Sequence, residues 1–97
     1  MQLDALKPED FDALVGGPIM LEGHAGSVEC EITEVRRLPP HSLRAHPPFA
    51  VMLRGPRARP LAQGMLTLLH PDKGRLDLFV VPVGPDAKGL CYEITFN

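Results

Sequence analysis

Ser27-Val28-Glu29-Cys30-Glu31-Ile32-Thr33-Glu34-Val35-Arg36-Arg37 alternates polar and apolar side chains over its first seven positions. Val28, Cys30 and Ile32 fall on one side; Glu29, Glu31 and Thr33 fall on the other. That is the period of a strand with one buried face. The phase then breaks, because Val35 follows Ile32 by three, and a β-bulge near Thr33-Glu34 would turn Val35 inward again. The same period recurs on both sides of this stretch. Ile19–Glu22 reads as a short strand followed by the hairpin-like Gly23-His24-Ala25-Gly26. Phe49, Val51 and Leu53 alternate with Ala50, Met52 and Arg54. Gly64–His70 puts Leu66 and Leu68 on one face. Arg75–Val83 is apolar on both faces, Leu76 and Leu78 against Phe79 and Val81. Leu90–Asn97 alternates with Tyr92, Ile94 and Phe96 inward. Short runs separated by turn residues predict a mainly all-β fold: a small antiparallel barrel or sandwich of about six strands.

One helix precedes them. Pro8–Val15 carries proline where a first helical turn needs no N–H. Glu9, Asp10 and Asp12 suit the positive end of the helix dipole. Phe11, Leu14 and Val15 form an apolar stripe, and Gly16-Gly17-Pro18 ends it. The 97 residues make a single domain, 1–97. Leu38–Pro48, with four prolines and two histidines, is the longest irregular stretch, and a connection of that length is often functional. Ile94–Asn97 should complete the core, so its deletion should unfold the domain.

The charges are unevenly spread. The first 34 residues hold eight acids against Lys7 alone, whereas no acid occurs between Glu34 and Asp72. That gap holds Arg36, Arg37, Arg44, Arg54, Arg57 and Arg59. Such a split fits either an acidic partner or internal complementarity. Guanidinium groups suit bidentate recognition of phosphate or carboxylate. Binding to single-stranded nucleic acid would also want stacking aromatics, and Phe49 is the one aromatic in the gap and reads as core. The near-neutral balance argues against a nucleic-acid coat. The acidic N-terminus has neither the basic nor the apolar region of a signal peptide, and no apolar run is long enough to span a bilayer. A cytoplasmic protein without a membrane segment is the expectation.

The residues that could carry chemistry do not form a motif. Cys30 is in phase with the core and Cys91 out of phase with it, so a disulfide is not expected. His24, His41, His46 and His70 lack metal-ligand spacing, and His70, just before Pro71, reads as a turn anchor. Neither Ser27 nor Ser42 lies in a nucleophile elbow, and Gly16-Gly17 precedes a strand and not a phosphate-binding helix. Glu29, Glu31, Asp77 and Glu93 point outward from their strands as a solvated face. No cofactor, metal site or catalytic residue is predicted. An acid/base pair of His46 and His70 is the weakest of the readings.

Several stretches together resemble a family of small uncharacterised bacterial proteins. They are Phe11-x-x-Leu14-Val15-Gly16, Thr33-Glu34-Val35, Phe49-x-x-x-Leu53-Arg54-Gly55-Pro56, Gln63-Gly64, His70-Pro71, Leu78-Phe79-Val80-Val81-Pro82-Val83-Gly84-Pro85-Asp86 and Tyr92-Glu93-x-x-Phe96-Asn97. Leu66 departs from the pattern, which commonly has an aromatic there. The resemblance implies an accessory or assembly role beside phage-tail-like or surface structures and supplies no catalytic residue. Arg54 and His70 are the matched side chains that could do more than shape turns. The expectation is a non-enzymatic β domain that binds another protein or itself. An open sandwich would offer unpaired edges to an added strand. The alternative is an anion-binding domain using Arg36, Arg37, Arg44, Arg54, Arg57, Arg59 and His70.

Overall fold

The computed structural model of the chain describes residues 6–24, 26–39 and 48–96. Six strands follow one short helix: α1 Glu9–Asp12, β1 Pro18–Gly23, β2 Gly26–Arg37, β3 Phe49–Gly55, β4 Gly64–His70, β5 Gly74–Pro85 and β6 Leu90–Phe96. The sheet closes on itself in the order β1-β2-β3-β6-β5-β4, with every neighbouring pair antiparallel. Closure is made by Met20, Leu21 and Glu22 of β1 opposite Leu69, Leu68 and Thr67 of β4. A barrel, and not a sandwich, is therefore the architecture. The free sheet edges that a sandwich would offer to an added strand are gone.

The alternation fills the barrel as the sequence predicts. Val28, Cys30 and Ile32 are buried with Leu53, Leu68, Leu78, Tyr92 and Ile94. The β2–β3 register shifts between Ile32 and Glu34, where the bulge is expected, and the Thr33 hydroxyl donates to the Met52 carbonyl at 3.3 Å beside it. A second bulge lies in β5, between Pro82 and Gly84. Proline has no N–H for the ladder, so the register slips there and leaves Val83 outside.

The helix is shorter than Pro8–Val15. It ends at Asp12, because the following backbone is drawn to β2: Gly16 N–H donates to the Ile32 carbonyl (2.7 Å) and Ile32 N–H to the Gly17 carbonyl (3.1 Å). Phe11 is buried and Leu14 packs on the core, but Val15 is 44% exposed, so the stripe is one residue narrower than expected. α1 closes one end of the barrel. There Phe11 packs on Phe49 and Phe96, whose rings stack 4.4 Å apart. The β1–β2 turn, the 56–63 connection and the 86–89 turn meet at the other end. Residues 40–47 of the Leu38–Pro48 stretch, with Arg44, His41 and His46, lie outside the described residues, as does Asn97. Among the described residues, no helix is long and apolar enough to cross a membrane.

Candidate functional site

Among the described residues, the arginines expected to act as one basic surface are dispersed, and three of the five, Arg36, Arg37 and Arg54, already hold acids. Arg36 Nη2 meets Glu34 of the same strand at 3.1 Å. Arg37 ties β2 to the helix through Asp12 at 2.6 Å, with Glu9 at 3.8 Å. Arg54 binds Asp86 through Nε (2.8 Å) and Nη2 (2.6 Å), and its Nη1 lies 3.5 Å from Glu31. Arg57 donates to the Asp86 carbonyl. The acid-free middle of the sequence thus meets acids supplied by the flanking segments.

Asp86 is the hub of the β5–β6 turn. Its Oδ2 takes Arg54, while its Oδ1 accepts the N–H groups of Lys88 (2.8 Å) and Gly89 (2.9 Å). The Arg54 guanidinium, followed by the Lys88 N–H, holds this carboxyl far below the usual carboxylate range. Arg37 lowers Asp12 in the same way. Cys91 is half-buried beside this pair, with its thiol raised chiefly by desolvation and then by Asp86. Cys30 is buried, and desolvation pushes its thiol up to about 11. Both cysteines are free.

His70 is 4% exposed. Its ring is committed to backbone at both nitrogens, with Nε2 2.7 Å from the Asp10 carbonyl and Nδ1 accepting from Asp72 and Lys73 N–H. It holds the turn as the sequence suggests, and the ring is not presented to a ligand. Glu29, Glu31 and Asp77 are exposed, as expected, whereas Glu93 is half-buried. Among the described residues, no three His, Cys, Asp or Glu side chains gather as metal ligands would.

Arg59 differs from its neighbours. Among the described residues it forms no ion pair. It lines a cleft of about 540 Å³ between the β1–β2 turn, the 56–63 connection and the start of β4. Val28, Leu61 and Leu66 give the cleft an apolar lining, and His24, Gln63 and Arg59 add polar groups. Met65 at its margin is 60% exposed and sits directly opposite Phe79 of β5, itself 49% exposed. Val83, unpaired at the β5 bulge, is also 49% exposed. The Glu22–Arg75 pair (2.5 Å) and the Thr67–Asp77 hydrogen bond (2.7 Å) lie further along the same strands.

The cleft leaves one trace in the sequence: residues 58–66 lie in the acid-free stretch. That trace does not say which loops converge.

The fold is a closed six-stranded barrel, capped by a helix at one end and notched by a partly apolar cleft at the other. The family model described as "Domain of unknown function (DUF6916)" matches residues 6–96, and the chain belongs to that family. No curated protein and no solved structure matches it.

Proposed function

We propose that this barrel is a binding module without chemistry of its own, docking a partner protein on the outer face of β4 and β5. The observation that carries this reading is the exposed Met65–Phe79 pair, with Val83 beyond it. Methionine and aromatic residues are the types enriched at interaction sites, and here one of each stands exposed on neighbouring strands. Barrel closure narrows the mode of docking. No full-length edge is left for a partner strand, which favours docking across a face. The family resemblance supports a bacterial accessory to a tail-like or surface assembly as the setting.

An anionic polymer is a weaker fit, because Arg36, Arg37 and Arg54 already hold carboxylates. Retention on heparin that collapses with salt would favour it.

The docking reading is tested by capture from native lysate with wild type and Phe79→Asp. The captured protein is then purified and titrated against both. Binding by wild type, and its loss in a variant with an unchanged circular dichroism spectrum, is the expected result. Equal binding by both overturns the assignment of the face. Concentration-dependent light scattering identifies a second copy of the chain as the partner if that is the outcome.

A further inference from the structure

We propose that the cleft beside Arg59 is a socket for a chain end: the free carboxy-terminus of a partner polypeptide whose last residue is aliphatic. This rests on the binding-module reading and names what one part of the surface takes.

The argument starts from charge. No acid lines the cleft. The nearest acid in sequence on β1, Glu22, is engaged by Arg75 at 2.5 Å. Of the arginines that end β3 and enter the 56–63 connection, Arg54 and Arg57 bond to Asp86. Arg59 is left with its guanidinium lying over Gly26, where a Cβ would sit 3.6 Å from Nη2. A cation that meets no carboxylate among the described residues, in a cleft that also carries the Gln63 amide and the His24 ring, is complementary to an anion. Guanidinium pairs best with a planar, two-oxygen one.

The walls add the second half. Val28, Leu61 and Leu66 are apolar, and Leu66 fills the space left by the absent side chain of Gly23, where a Cβ would fall 2.9 Å from Leu66 Cδ2. The cleft is of ligand-pocket size. Cation and apolar wall share one small space, so the carboxylate and the aliphatic group should leave the same carbon, as they do at the end of a polypeptide. An internal Asp or Glu carries its carboxylate on a separate stem.

The socket is also held in shape. Leu61 N–H donates to the buried Tyr92 hydroxyl at 2.9 Å, and Arg59 N–H to the Pro56 carbonyl at 3.3 Å. Such fixing lowers the ordering cost of binding. Met65 belongs both to the cleft margin and to the pair with Phe79. A partner lying on the β4–β5 face can therefore finish in the cleft.

The probes are three acetylated peptides: Gly-Ser-Gly-Leu with a free carboxylate, the same peptide as its carboxamide, and a carboxamide peptide with an internal Glu beside Leu. Each is titrated into the intact protein while backbone amide shifts are followed by NMR. The free acid is expected to move resonances of Gly23, Gly26 and residues 58–66. The carboxamide should bind at least about tenfold more weakly, or ~1.4 kcal/mol. Arg59→Gln should lose the same factor for the free acid, and Lys88→Gln, which removes a positive charge elsewhere, should not. Absence of cleft shifts with the free acid, or equal binding of acid and carboxamide, overturns the socket. So does stronger binding of the internal Glu peptide. None of these results depends on the Phe79 capture, so failure of the socket and failure of the docking face are read separately.

Discussion

One imidazole joins two distant stretches of backbone. His70 Nδ1 accepts N–H bonds from Asp72 (3.0 Å) and Lys73 (3.1 Å), so the ring proton sits on Nε2 and is donated to the Asp10 carbonyl. Replacing it by Leu keeps bulk against Phe11 but orphans these groups. The hydrogen bonds are part-buried, so each one lost costs about 0.5–1.5 kcal/mol. The His70→Leu variant should therefore show a clearly lower urea midpoint, and an unchanged midpoint would contradict the anchor. Tyr92→Phe removes one hydrogen bond, to Leu61, and should cost about 1 kcal/mol on the same assay. Asp86 sets an acid dependence. Its folded pKa lies below its unfolded one, so the Arg54 pairing stabilises the fold above the ordinary carboxylate range. That contribution fades as pH falls from about 4 towards the folded value. Asp86→Asn should flatten the acid limb of a plot of denaturation midpoint against pH, and parallel limbs would refute the pairing. The sequence hinted at the turn role through His70-Pro71. It held no sign of Asp10 as a partner sixty positions earlier, because that contact depends on where α1 lands.

The strands were legible because each has one buried face and a period of two. Even the β2 bulge showed itself, as a break of phase between Ile32 and Val35. The β5 bulge did not, since β5 is apolar on both faces and a slipped register leaves no trace in such a pattern. Apolar spacing alone extends the helix to Val15, because it carries no trace of Ile32, whose backbone captures Gly16 and Gly17. β6 carries the clearest element-level consequence. Ile94 and Phe96 are buried and face Val51 and Phe49 across the ladder. Losing a buried Phe alone costs about 3–5 kcal/mol, against a total of about 5–15 kcal/mol for a domain. Truncation before Ile94 should abolish the cooperative thermal transition, and a retained melting curve would show that the strand is dispensable.

Over the whole molecule, the charge split resolves largely into internal pairing. The acidic N-terminal third meets the arginine-rich middle at Arg37–Asp12 and Arg54–Glu31, and Asp86 completes the second cluster from the C-terminal third. Alternation could not choose barrel over sandwich, because that choice rests on three residue pairs between β1 and β4, far apart in the chain. The same closure gathers the cleft from β1, β2, β4 and the 56–63 connection, which is why its composition was visible and its existence was not. Among the described residues, the most exposed large apolar side chain is Met65, opposite Phe79 on the β4–β5 face. A photo-crosslinking amino acid placed at Phe79, and in a second protein at the exposed Glu29 of β2, tests that face most directly in native lysate. The account predicts one discrete adduct from position 79 and none from position 29. No adduct at 79, or the same adducts at both positions, would contradict it.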